Sequence, residues 1–475
     1  MAVLLAEAML VPTGLLITAF LTRRLGPVGF GLFTLAASLI GWVEWALASA
    51  FARAGIRFIG SAVDWRPAGA TLVRLYLSTS LGVTILFWLL ASPVASLLDE
   101  SALATYLRLF ALDIPIYGLA HAHLQILIGV GRYNERAVVS GARWIGRLLL
   151  IVVLVGIGLS VPGAILGSIG ASLVELAIAR FYVRPSLRHR EALAVAQLWG
   201  YAAPLLLWAL TLRLFDRLDL LVLKSLGASA ADAGIYGAAQ TVSLSLGLFA
   251  VAFAPLLLST ISRTLRDGHL DEAKTIARNA MRAVIVFGPA AALLSGAGAE
   301  ISLVAFGAKF VTAAPLIGPL ALAALALTMM HVATSILTAA GKPRWAFLLV
   351  GPLVPLALVG HLLLIPRFGA LGAASVTALC ASLSAVAQLV AIYRLWGAVP
   401  PLGTVVRSAL LCVVTYVSAA LWPTPGLLLF VKLPVLALLV LAGYALLGEF
   451  TSSEIAAARA LLLRQPLAGG QPRAP

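Results

Sequence analysis

Four ionisable residues crowd one turn and a half of an otherwise apolar stretch: Arg213, Asp216, Arg217 and Asp219. Guanidinium forks match phosphate oxygens, so Arg213 and Arg217 are candidates to bind an anionic head group. Asp216 and Asp219 would then neutralise the arginines in the empty state or carry a coupling ion. At helical spacing Arg213, Asp216 and Arg217 fall within about 100° of one another and form a single stripe, while Asp219 sits further round. Facing hydrocarbon, the four would cost on the order of 10 kcal/mol, so the stripe is expected to face a polar cleft. An internal ion-pair network that only holds the protein together would use the same four residues.

Further charges lie in apolar surroundings, where an ionisable residue usually faces a cavity or a partner. Glu44 stands between Trp42 and Trp45 and can meet sugar hydroxyls or hydrogen-bond a neighbouring helix. Asp113 and Glu175 are single acids, each a candidate coupling-ion or ion-pair site. Arg23 and Arg24 close the first apolar run; they would attract a phosphate or snorkel to the interface. Arg53 and Arg57 are expected at a cytoplasmic mouth, with a plain topological role as the alternative. Lys432 reads as a snorkelling lysine. His121 and His123 are two apart on a helix and point to different faces, and Cys380 and Cys412 both sit in apolar runs, so no metal site is expected. There is no Walker loop, Gly-x-Ser-x-Gly elbow or kinase signature; no cofactor is expected, and the chain is not read as an enzyme.

The elements that carry these residues follow from composition. Of 475 residues, 62% are hydrophobic and 11% charged, with mean hydropathy +1.05. Soluble domains carry roughly a quarter charged residues, and a bilayer core needs about 20 apolar residues per helix. The expected spans are Ala2–Leu21, Gly29–Ala50, Leu72–Leu90, Leu107–Val130, Val138–Gly158, Gly163–Val183, Tyr201–Lys224, Ile235–Leu258, Ala280–Leu294, Leu316–Ala340, Trp345–Ile365, Leu371–Tyr393, Val405–Trp422 and Leu427–Leu447. With the N-terminus inside, most of the 33 Lys and Arg fall on cytoplasmic connections; that set includes Arg132, Arg136, Arg143, Arg147 and Arg184. Both termini are therefore expected in the cytoplasm. The net charge of +15 is read as this topological bias rather than as nucleic-acid binding.

Three short patterns recur. Leu25-Gly26 followed by Gly29-Phe30-Gly31 returns as Leu226-Gly227 followed by Gly234-Ile235-Tyr236-Gly237. Gly163-Ala164-Ile165-Leu166-Gly167 returns as Gly369-Ala370-Leu371-Gly372, and Gly131-Arg132-Tyr133 as Gly341-Lys342-Pro343-Arg344. Six spans separate each pair, and an even offset keeps both copies in one orientation. The fold expected is an all-α polytopic membrane protein of about fourteen transmembrane helices. Two six-helix lobes, residues 1–190 and 191–400, are related by a pseudo-twofold along the membrane normal, and two extra helices and a cytoplasmic tail occupy 401–475. Lobes so related enclose a cleft that rocking exposes to each side in turn.

The stretch Thr22-Arg23-Arg24-Leu25-Gly26-Pro27-Val28-Gly29-Phe30-Gly31-Leu32-Phe33 resembles the junction of the first two helices in Wzx-type oligosaccharide flippases. The stretch from Asp219 through Gly227 to Tyr236-Gly237-Ala238-Ala239 resembles that family's junction of helices seven and eight. The superfamily also holds MATE multidrug exporters and lipid II flippases. The resemblance implies movement of an undecaprenyl-pyrophosphate-linked oligosaccharide from the cytoplasmic to the periplasmic leaflet of a bacterial inner membrane, for surface polysaccharides such as O-antigen or exopolysaccharide. It also implies a cationic cavity, matching Arg213 and Arg217, and as partners the lipid-linked glycan, membrane lipids and other polysaccharide-assembly proteins. A drug antiporter on the same fold would want a net acidic cavity. A membrane glycan polymerase or ligase would carry a sizeable extracytoplasmic loop, and the loops here are short.

Overall fold

The computed structural model describes residue 6 and residues 9–61, 64–185, 214–215 and 217–450. Among them, nine helices are long and apolar enough to cross a membrane. The elements are α1 (Leu10–Ser61), α2 (Trp65–Leu97), α3 (Ser101–Ala111), α4 (Asp113–Gly129), α5 (Tyr133–Leu154), α6 (Ser160–Tyr182), α7 (Ala230–Leu244), α8 (Leu248–Arg266), α9 (Leu270–Val286), α10 (Gly288–Gly296), α11 (Ala314–Ala339), α12 (Pro343–Val350), α13 (Leu353–Trp396), α14 (Leu402–Leu421) and α15 (Leu429–Leu446). Serine and threonine hydroxyls along them donate to the carbonyl one turn back, as Thr22 does to Thr18 and Thr328 to Ala324, both at 2.8 Å. That is how such residues are satisfied where water is absent.

Some continuous-looking helices are two. α1 is broken at Gly26 (φ 68°) ahead of Pro27, and α13 at Gly369 (φ 55°), positions where a side chain would be strained. A break at Gly158 (φ 99°) likewise separates α5 from α6, which then pack closely along their lengths. Gly158 lies five residues ahead of the Gly163-Ala164 pattern, and Gly369 opens its Gly369-Ala370 counterpart, so a break falls at or near each copy.

The two halves meet at one end and part at the other. A single apolar core joins residues of the first half, such as Leu21, Phe33 and Leu107, to residues of the second, such as Leu220, Tyr236 and Phe310. At the opposite end the cores are separate. One holds Phe51, Tyr76, Ile126 and Val183 from the first half alone; the other holds Ile261, Met281, Ile336 and Ile392 from the second. We call these the joined end and the split end.

The joined end is closed by backbone. A Cβ on Gly31 would lie 1.7 Å from the Ala230 carbonyl oxygen, and one on Gly234 would lie 2.3 Å from the Pro27 carbonyl oxygen. Residues 27 and 31 of α1 thus cross residues 230 and 234 of α7 reciprocally. Small residues four apart are what lets membrane helices approach this closely. Two polar links reinforce the seam. Arg23 donates to the carbonyls of Val304 and Ala305, in a π-helical turn over Ser302–Phe306. Lys224 pairs with Glu100 at 3.1 Å.

The last two helices are fastened to the second half by ions. Lys432 is fully buried, donating to Glu300 (2.7 and 2.6 Å) and to the Ala419 carbonyl (2.7 Å). The expectation that it snorkels is therefore wrong: Glu300, at the end of the α9–α10 rod, supplies a partner inside the protein. Near the split end, Glu449 accepts from Arg282 (2.6 Å), Thr404 (2.6 Å) and Arg407 (2.9 Å), tying the end of α15 to α9 and α14.

Candidate functional site

Between the halves lies a cavity of about 350 Å³. The first half contributes Thr18, Thr34, Ser38 and Glu44 from α1, Asp113 from α4, Arg143 and Arg147 from α5 and Ser168 from α6. The second half contributes Arg217, with Gln240 and Thr241 from α7. Three guanidinium groups and two carboxyls thus share a wall with hydroxyl and amide side chains and with apolar residues such as Phe30, Phe33 and Phe110.

Local sequence explains the placement. Arg143 and Arg147 are four residues apart, so they project from one face of α5. The fourth span breaks at Leu112, and α4 starts at Asp113 with Pro115 in its first turn. Proline has no N–H to give and loses no helix hydrogen bond in that turn. The break leaves Asp113 at a helix N-terminus, where the backbone dipole favours an acid.

The polar groups are held to different degrees. Arg143 pairs with Glu175 at 3.3 Å beneath the cavity wall, and its guanidinium carbon lies 4.7 Å from the Tyr117 ring centroid and 5.4 Å from that of Trp144. Arg217 donates to Gln240 at 2.8 Å. Glu44 Oε1, Asp113 Oδ1 and Arg147 Nε are buried with no hydrogen-bond partner among the described residues. Leaving such groups unpaired costs free energy, so this wall is built to meet something polar.

Of the residues expected at the site, Arg217, Glu44 and Asp113 are brought together, and Glu175 stands behind them on Arg143. Arg213 and Asp216 lie outside the described residues, as do the side chains of Arg53 and Arg57. Asp219 does not line the cavity. It is 1% exposed and accepts from Tyr236 Oη (2.5 Å), Thr377 Oγ1 (3.3 Å) and the Leu220 amide (2.7 Å), an internal node of the second half. Arg23 and Arg24 do not line it either. Arg23 is spent on the seam carbonyls, and Arg24 is exposed, 5.9 Å from the Phe20 ring centroid. Arg143 and Arg147 correct the topological reading: both fall well inside α5, not on a connection. Their four-residue spacing inside an apolar run was the available signal.

Residues 20–315 match the family described as polysaccharide biosynthesis protein. The chain belongs to that family. Solved structures agree on the fold. A lipid II flippase, MurJ, in an inward closed conformation is 14% identical over 94% of this chain and 97% of that one, with a TM-score of 0.74. A MATE family multidrug resistance transporter of the MOP superfamily, inward-facing, is 14% identical over 86% and 94%, with a TM-score of 0.60. A MOP superfamily transporter from Pyrococcus furiosus, whose binding pocket is described as reversed in polarity, is 12% identical over 83% and 96%, with a TM-score of 0.54. No curated protein matches the chain. This polysaccharide biosynthesis family member is thus a multi-pass membrane protein with the fold shared by lipid flippases and multidrug exporters.

Proposed function

We propose that the protein is a flippase that carries an undecaprenyl-pyrophosphate-linked oligosaccharide from the cytoplasmic to the periplasmic leaflet of the bacterial inner membrane, by alternating access. It crosses the membrane fourteen times as two six-helix lobes, residues 1–190 and 191–400, with the last two helices, the tail and both termini as expected above. The observation that carries the reading is the cavity between the halves, with Arg143, Arg147 and Arg217 converging from both. A pyrophosphate and a hydroxyl-rich glycan cannot cross hydrocarbon unaided, because each unsatisfied polar group costs several kcal/mol. Guanidinium groups in a cleft supply the missing partners while the polyprenyl chain stays in lipid. The basic residues at the split end make that end cytoplasmic, so the cavity here is sealed from the periplasm by the glycine seam. The carboxyls Glu44 and Asp113 are the acids placed to exchange a coupling proton or sodium ion.

The test is reconstitution in liposomes with a fluorescent polyprenyl-pyrophosphate oligosaccharide, scored by exposure of the glycan to an external lectin. Arg147→Ala and Arg217→Ala should each slow flipping at least tenfold, as expected when one partner of a desolvated charge contact is removed, with the protein still in the membrane. Unchanged flipping in both variants removes the arginines from the mechanism. Transport of a cationic drug, lost in Glu44→Gln, would favour the antiporter instead.

A further inference from the structure

A second cavity, of about 390 Å³, lies at the split end of the first half and shares no lining residue with the central one. Three connections meet there. Trp65 and Arg66 open α2, Arg132 follows the turn after α4, and Phe181, Tyr182 and Arg184 end α6. Three guanidinium groups therefore converge from three separate elements.

Arg132 is fixed in place. It reaches Glu135 Oε1 through Nε and Nη2, each at 2.8 Å, donates to the Tyr182 carbonyl at 3.0 Å, and lies 5.7 Å from the Tyr182 ring centroid. Its charge is answered locally. Arg66 has only Asp64, at 4.0 Å with both side chains more than half exposed, and Arg184 makes no ion pair among the described residues. Among the described residues, these two cations thus have little opposing charge, and an aromatic wall stands beside them.

The rim marks the depth. Phe181 on the rim is 69% exposed, so an apolar ring borders the pocket where it opens outward. Aromatic rings at the ends of spans sit at the level of the lipid head groups. Basic pockets between helices at that level suit anionic heads. A free anion would gain nothing from the apolar rim; a lipid would lay its acyl chains along it.

We propose that this pocket binds the phosphodiester head of an anionic membrane phospholipid, with Arg66 and Arg184 as the anion contacts and Arg132 with Tyr182 as the wall. The site stands independently of the flippase reading. The test uses full-length protein in neutral detergent, titrated separately with dioleoyl phosphatidylglycerol, dioleoyl phosphatidylcholine and inorganic phosphate, with bound lipid read by native mass spectrometry. Phosphatidylglycerol should bind in preference to phosphatidylcholine. Arg66→Ala/Arg184→Ala should weaken it roughly thirtyfold, the effect of two interfacial arginines, and Arg147→Ala in the central cavity should leave it unchanged. If the double variant does not fold, Arg184→Gln alone carries the test with a loss of roughly fivefold. Phosphatidylglycerol binding that survives these pocket substitutions, that equals phosphatidylcholine binding, or that inorganic phosphate displaces, overturns the proposal.

Discussion

Replacing Gly31 with alanine should open the joined end. A Cβ there would sit 1.7 Å from the Ala230 carbonyl oxygen, 2.8 Å from its carbon and 3.0 Å from the Gly234 nitrogen. All three are backbone atoms, so no rotamer relieves the clash, and α1 and α7 must part by roughly 1.5 Å to regain ordinary contact. Overpacking of this kind costs about 1–3 kcal/mol, which shifts a two-state equilibrium about 5- to 150-fold. Gly31 is not among the glycines of positive φ, so alanine does not strain its own helix and improves local propensity. The cost therefore falls on the seam and not on folding. The assay places a reporter at Ser38→Cys, in the cavity wall, after Cys380 and Cys412 are replaced by alanine. A membrane-impermeant maleimide added from the seam side should label the Gly31→Ala protein faster by a factor in that range. Gly234→Ala should do the same, because its Cβ meets the Pro27 carbonyl at 2.3 Å. Labelling unchanged in both variants would refute the assignment of these residues as the closure.

Two further outcomes concern how the last helices are held. Lys432→Met should destabilise the protein in detergent by about 3–5 kcal/mol, since it strands Glu300 without its partner; Glu300→Gln/Lys432→Met should recover most of that, and thermal unfolding measures both. Burial alone would raise the pKa of Glu449, but its bonds to Thr404, Arg282 and Arg407 outweigh burial and hold it below the ordinary 4.5. A depressed carboxyl stabilises the fold fully above its unfolded pKa and loses that contribution as pH falls through the folded one. Melting temperature should therefore drop below about pH 4.5, and Glu449→Gln should lower the neutral value while flattening the acid limb.

The membrane class was legible because hydrophobic length needs no partner to be read: a run of about 20 apolar residues has one stable setting. The recurring glycines were legible too, because positive φ and backbone contact both demand glycine wherever they occur. Gly31 and Gly234 proved to touch across the halves, which spacing alone could not say. Arg143 and Arg147 were misread for a physical reason. An arginine near a helix end answers the topological bias and an arginine in a cavity answers a ligand, and both look alike until the helix register is known. Asp219 was legible as lying off the stripe, because two residues on a helix turn the side chain by about 200° from Arg217, and it is bonded to Tyr236 and Thr377. Lys432 looked like a surface anchor because its partner Glu300 is 132 residues away.

The division of charge between the halves bears on direction. Arg143 and Arg147 belong to the first half, Arg217 to the second. Any movement that narrows the cavity brings like charges together. At about 4 Å, and an effective dielectric near 20, two such charges repel by about 4 kcal/mol. An empty cavity therefore resists closing through its arginines, and under the proposed function a bound pyrophosphate reverses the sign by standing between them. Glu44 and Asp113 offer the alternative counter-charge for the return stroke, provided they are ionised. On the proposed function, the loaded and empty transitions thus use the same three guanidinium groups with different anions. Glu44→Gln/Asp113→Asn should then slow the empty return more than the loaded step, so counterflow exchange of lipid-linked oligosaccharide persists while net flipping falls. If exchange and net flipping fall together, the acids serve the loaded step and the division of labour argued here is wrong.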